Sequence, residues 1–178
     1  MSDYGELLGP NKVRFERLLP GPIERVWSYL VDGDKRAQWL CGGDTDAAVG
    51  GNIELRFHNA TISDEPDDPP PEKYRAMNEK VRYHGTITRY EAPTVLAHTW
   101  EFEETASEVC YELSEAGDQV RLVITHSRLD SAEELAGACG GWHTHLGILS
   151  DLLEGRPRRA FWKTHTALEA EYEERLPA

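Results

Sequence analysis

One run of residues near the end of the chain constrains its fold more than any other. Leu135, Cys139, Trp142, Leu146, Leu149 and Leu153 recur at steps of four, three, four, three and four, which sets all six on one face of an α-helix. Ile148 and Leu152 widen the stripe. A helix with so broad an apolar face needs a large partner, and the segments before it read as strands, so the partner expected is a sheet. Ser131-Ala132-Glu133-Glu134 has the capping-box form that starts such a helix, and Gly155-Arg156-Pro157 ends it. Gly137, Gly140, Gly141 and Gly147 fall within or beside the pattern. Gly in a helix interior costs about 1 kcal/mol relative to Ala. Either the helix breaks near Gly140 or its backbone approaches the sheet closely there; the sequence leaves both open.

Upstream, Lys12 to Leu19 reads as a strand, stopped by Pro20-Gly21-Pro22. Ile23, Val26, Trp27 and Leu30 then recur at helical spacing, and a second helical turn runs from Asp34 to Trp39. Gly42-Gly43 leads to a weak strand, and Gly50-Gly51 marks a tight turn. Ile53 to Phe57 alternates cleanly as a strand. In Val81 to Glu91 the apolar Ile87 and Tyr90 are three apart, which points to a β-bulge. Leu96, His98, Trp100 and Phe102 share one strand face, Val109, Tyr111 and Leu113 the next, and Leu122, Ile124 and His126 the last, with a hairpin turn at Ala116-Gly117-Asp118. Between the strands, residues 59–80 carry Asp64-Glu65-Pro66-Asp67-Asp68-Pro69-Pro70-Pro71-Glu72 and few apolar anchors. They read as a long acidic loop, mobile in part, serving either as a solvated insertion or as a flap over a site. Residues 156–178 form an extension, helical from Phe161 to Leu176.

The 178 residues suit a single domain, 1–178, with no internal repeat. The charge balance of 19 − 32 = −13 argues against nucleic acid as a partner. No apolar run approaches the ~20 residues of a membrane span, so membrane insertion is not expected, and the polar opening residues lack the form of a signal peptide. Cys41, Cys110 and Cys139 are odd in number and far apart, which suits reduced thiols in the cytoplasm better than disulfides or a zinc site.

The chain resembles the START-like (SRPBCC) superfamily, in the branch named for the activator of Hsp90 ATPase homologue. The resemblance is carried by Pro22-Ile23-Glu24-Arg25-Val26-Trp27 with Trp39 downstream, Val49-Gly50-Gly51, the Pro93 to Trp100 and Val120 to His126 strands, and Gly141-Trp142-His143-Thr144-His145-Leu146. It covers residues 12–155. It implies an α+β helix-grip fold, in which a curved antiparallel sheet wraps a long C-terminal helix after one strand, two short helices and six further strands. It also implies a hydrophobic cavity between sheet and helix. The 59–80 insertion departs from that pattern at the expected mouth.

Inward alternation makes Trp39, Phe57, His98, Trp100, Tyr111, Ile124, His126, Trp142, His145, Leu146 and Leu149 the candidate lining of such a cavity. Taken singly each reads as core, and a buried neutral His ordinarily has a satisfied hydrogen bond and no further role. Taken together, aromatics beside His98 and His126 make the mixed surface of a pocket, in which His126 would orient a polar group of the ligand. Gly147→Leu would fill that space if position 147 faces inward. His143 and His145 are two apart, roughly 200° around a helix, so they do not chelate one metal, and no cofactor is indicated. A Gly-x-Ser-x-Gly elbow, a Cys–His motif, a phosphate loop and His-Glu-x-x-His are all missing from the sequence. The expected function is therefore binding of a small hydrophobic or aromatic molecule. A cochaperone module of stress response, acting on a chaperone, is the alternative the family name implies. Catalysis on a lipophilic small molecule comes third.

Overall fold

The computed structural model describes residues 2–102 and 105–177, with the side chain of Phe102 outside that description. The chain runs β1 (Glu6–Gly9), β2 (Lys12–Pro20), α1 (Ile23–Val31), α2 (Gly33–Arg36), β3 (Asn52–Phe57), α3 (Arg75–Asn78), β4 (Val81–Glu91), β5 (Val95–Phe102), β6 (Thr105–Ala116), β7 (Gln119–Ser127), α4 (Ala132–Leu153) and α5 (Phe161–Arg175). The seven strands form one antiparallel sheet in the order β1-β2-β7-β6-β5-β4-β3. With α4 laid against its inner face, this is the helix-grip α+β fold. Two strands, not one, precede the short helices. The expected weak strand after Gly43 reduces to the bridges Gly42↔Arg56 and Thr45↔Ile53. The bulge in β4 is present, as a register shift between Ile87 and Arg89.

α4 is one unbroken helix through Gly140 and Gly141. Ser131 caps it, its hydroxyl accepting from the Glu134 N–H at 3.1 Å. All six stripe residues are buried, Trp142 at 3%, Leu146 at 1% and Leu149 at 0% exposure. Burying a side chain of this size is worth roughly 1.5–3 kcal/mol. Gly140 faces α5, not the sheet, and a Cβ there would meet Cα and Cβ of Glu169 at 3.5 Å, an ordinary contact, so neither a break nor a close approach to the sheet explains this glycine. The helix is thus covered on two sides, by the sheet and by α5, and Thr144, off the stripe, and Ile148, at its edge, are fully buried as well.

The 59–80 insertion, expected to have few apolar anchors, is tied down by buried Ile62 and by Tyr74 stacked on Trp162, and by a set of polar contacts. Asp64 forks onto the guanidinium of Arg158 at 2.8 and 3.0 Å, Ser63 Oγ accepts from the Phe161 N–H, and Asn78 Oδ1 accepts from Trp162 Nε1. Asp67 accepts from the Trp162 and Lys163 N–H groups at 2.8 and 2.9 Å. The Ala160 at the head of α5 offers no side-chain cap, so the insertion supplies from a distance the acceptor that a helix start requires. Tyr74 and Lys73 both bond Glu169, further along α5.

A second unanticipated joint is Arg36, 2% exposed. Its guanidinium donates to the carbonyls of Leu30, Cys41, Gly42, Gly43 and Glu54 and to Thr45 Oγ1. That fixes the irregular segment between α2 and β3 to the end of α1.

Candidate ligand site

The register of the sheet decides which side chains meet beneath α4. Trp100 pairs with Ser107, His98 with Val109, Val109 with His126, and Tyr111 with Ile124, so these residues share the inner face of three adjacent strands. Trp142 comes down onto them from α4. Its Nε1–H donates to His126 Nδ1 at 2.9 Å, which makes Nδ1 the acceptor and leaves the ring proton on Nε2, where it is donated to Ser107 Oγ at 2.8 Å. His126 is therefore a neutral ring with both nitrogens used. Burial holds its pKa down to about 3, with the charge of His98 a smaller contribution.

The rings stack as a continuous cluster. Trp100 lies between Phe57 (5.4 Å, 24°) and His126 (5.8 Å, 13°) and meets Trp142 edge-on at 6.2 Å. Trp142 also meets Tyr111 edge-on, and Tyr111 stacks on His98 at 5.7 Å. His98 Nδ1 donates to its neighbour's carbonyl, Thr99 O, at 2.9 Å. The Tyr111 hydroxyl makes no hydrogen bond to a described residue, and burial raises its pKa. On the far side of Phe57, His145 Nδ1 donates to Trp39 O at 2.8 Å, and the His145 ring contacts Phe57 and Phe161. Burial is the leading cause that brings both His98 and His145 down to about 4. His143 points elsewhere, with Nδ1 on the Tyr172 hydroxyl.

Ten of the eleven candidate lining residues are buried, and Trp100 is half-buried. The structure brings together Phe57, His98, Trp100, Tyr111, His126 and Trp142. Trp39 and His145 form an adjoining pair, and Ile124, Leu146 and Leu149 belong to the aliphatic core. The rings touch one another between sheet and helix. Two clefts, of about 280 and 790 Å³, indent the surface elsewhere, and neither borders these rings. Gly147 does not face the interior: a Cβ there would stand 2.6 Å from Arg159 Nη1. Sequence reasoning missed Ser107, although continuing the alternation back from Val109 by two places reaches it. No thiol here is activated, since burial pushes Cys41 up to about 11 and Cys139 up to about 12.

Comparison with known proteins agrees with this architecture. The family model described as activator of Hsp90 ATPase homolog 1-like protein matches residues 20–154. The solution structure of a protein from Bordetella parapertussis is 45% identical, with 98% of this chain and 91% of that one covered and a TM-score of 0.81. The crystal structure of CalU16 from Micromonospora echinospora is 22% identical over 92% of this chain and 86% of that one, with a TM-score of 0.67. The Aha1 dimer from Colwellia psychrerythraea is 17% identical over 80% and 96%, with a TM-score of 0.60. The latter two likenesses are of fold. The comparison with curated proteins gave no match. With three quarters of its length matched by the family model and a relative of nearly one-half identity, the chain belongs to the activator of Hsp90 ATPase homolog 1-like family, within the START-like fold.

Proposed function

We propose that the chain binds a small aromatic or apolar molecule between the sheet and α4, entering at Trp100. The carrying observation is the Trp100 ring itself, the half-buried member of an otherwise buried stack, held on one face by Phe57 and on the other by His126. A flat ligand that displaces or joins this ring keeps the stacking geometry, worth about 0.5–1.5 kcal/mol per ring pair beyond the area buried. Behind it, the Tyr111 hydroxyl offers a polar group that the described residues leave unbonded, suited to a carbonyl or phenol on the ligand. Binding on this reading requires the rings to part, so it is coupled to side-chain motion. The three cysteines are free, which accords with the cytoplasm as the place of action. Among the described residues no helix is long and apolar enough to cross a membrane.

The test is a panel of lipophilic aromatic compounds, read by thermal shift and by tryptophan fluorescence, on the parent chain, Trp100→Ala and Tyr111→Phe. Saturable quenching with a rise in Tm, lost in Trp100→Ala and weakened in Tyr111→Phe, is expected. A panel without any Tm response refutes the reading. Stimulation of an Hsp90 ATPase in a parallel assay would then put the interaction module first.

A further inference from the structure

β2 turns Val13, Phe15, Arg17 and Leu19 inward, so a guanidinium occupies a position that its neighbours mark as apolar. Arg17 is 6% exposed. Its hydrogen bonds go to two backbone carbonyls only, Glu16 O and Asp3 O, each at 2.8 Å. Among the described residues no carboxylate oxygen lies within 4.0 Å of it. The contrast with Arg36, which has six acceptors around its guanidinium, is instructive. The Asp3 charge acts on Arg17 and the Phe15 ring lies 5.9 Å away, but a guanidinium has five N–H donors, and a buried one left short of acceptors is costly.

Arg17 opens on the smaller cleft, about 280 Å³, whose other walls converge on it. α4 contributes His143, Gly147 and Ser150 at helical spacing along one face. Gly147 leaves room for the Arg159 guanidinium, which would collide with any Cβ there. Arg159 forks its Nε and Nη2 onto Asp151 at 2.7 and 2.8 Å, leaving Nη1 over Gly147. His143 uses Nδ1 on Tyr172 and has Nε2 in reserve. Arg156 is taken up by Asp151 and Glu154. Asp3 and Glu154 complete the lining and work against an anion.

From this geometry we infer a second binding site, in which Arg17, with Arg159 Nη1 and Ser150, receives the carboxylate or phosphate group of a small molecule. A planar guanidinium matches such an oxyanion in two parallel hydrogen bonds. The cleft volume sits at the lower limit for small-molecule sites, so the ligand is metabolite-sized. The overall charge of −13 makes the site a local exception, and steering by long-range charge does not assist it.

The experiment is an NMR titration of the full chain with inorganic phosphate and, in a separate arm, succinate, each at constant ionic strength set with sodium chloride. The amides of Gly147 and Ser150 and the His143 ring are the reporters. Saturable shifts at these three are expected with at least one anion, and the arm that responds identifies the headgroup. Asp3→Asn should tighten binding several-fold. Ser150→Asp, which places a carboxylate in the cleft, should abolish binding and raise Tm by roughly 2–4 °C. That sign is diagnostic, because an added negative charge near the C-terminus of a helix in an acidic protein would otherwise lower Tm. Failure of both anions to give saturable shifts, or a fall in Tm in Ser150→Asp, overturns the proposal. Neither variant removes Arg17, so loss of the fold does not confuse the outcome.

Discussion

Replacing Asp67 by Ala should loosen α5 although Asp67 is itself exposed and lies over ninety residues upstream. The carboxylate accepts from two N–H groups of the first turn, Trp162 and Lys163. Loss of a capping acceptor costs about 0.5–2 kcal/mol, of which the charge on the helix dipole supplies about 0.3–1 kcal/mol. Lys163 is exposed and water can replace its bond, whereas Trp162 is 2% exposed and its N–H has poorer access to water. A cost of about 1.5 kcal/mol is therefore expected, equivalent to a fall in Tm of roughly 3–6 °C in a chain of this size. Asp67→Asn, which keeps one acceptor and drops the charge, should lose about half of that. Urea denaturation gives the energies, and hydrogen exchange at the amides of residues 162 to 165 locates them. Deleting Ser63 to Pro71 removes Ser63 and Asp64 as well and should expose α5 to proteases. A change in Asp67→Ala below about 0.3 kcal/mol, with α5 exchange unaltered, would show that the insertion does not hold the helix.

Leu146→Ala, at the centre of the stripe, should cost on the order of 2–5 kcal/mol by urea denaturation. Gly141→Ala meets nothing within 4 Å and should stabilise by up to about 1 kcal/mol through helix propensity, while Gly147→Ala should destabilise by collision with Arg159; opposite signs in thermal melts check both. His98, His126 and His145 have folded pKa values held near 4, 3 and 4, below the unfolded value of about 6.5. The unfolded chain thus binds more protons below that pH, and stability, complete above it, falls by on the order of 4 kcal/mol per pH unit for the three together. Acid unfolding followed by circular dichroism should accordingly have its midpoint between about pH 4 and 5.5 for a stability at neutral pH of about 4–10 kcal/mol, within the ordinary range of domains. Asp64, whose hydrogen bonds from Arg158 hold it at about 2, contributes only at lower pH, so a midpoint below about pH 3.5 would exclude the imidazoles as the cause.

The parts of this structure legible in the sequence are those written in a repeat. The α4 stripe, the α1 face at Ile23, Val26, Trp27 and Leu30, the β4 bulge and the inward rings of β5 to β7 all declare themselves by spacing. What escaped is held by single polar side chains reaching across long gaps in sequence. Asp67 caps a helix that begins at Phe161, and in the linear chain it is one acid among many beside prolines. β1 is four residues long and, among the described residues, pairs only with β2, too short for alternation to register. The glycines of α4 suggested a break or a close approach to the sheet near Gly140, and neither is found: the helix is continuous and position 140 faces α5 at ordinary contact distance. The candidate lining residues were named from alternation, which sets the face each occupies, whereas how closely their rings pack depends on volumes and rotamers that follow three-dimensional fit and not period.

Arg36 has a consequence for how the protein withstands its surroundings. Small domains often fasten an irregular stretch with a disulfide or a bound metal, and each such fastening is conditional, on redox state or on metal supply. Residues 41–51 contain no helix or strand, yet a single guanidinium holds them by six hydrogen bonds drawn from α1, the segment itself and β3. That clasp is made entirely of the chain's own donors and acceptors. Reductant and chelator should leave this corner unchanged, even though a cysteine, Cys41, sits within it.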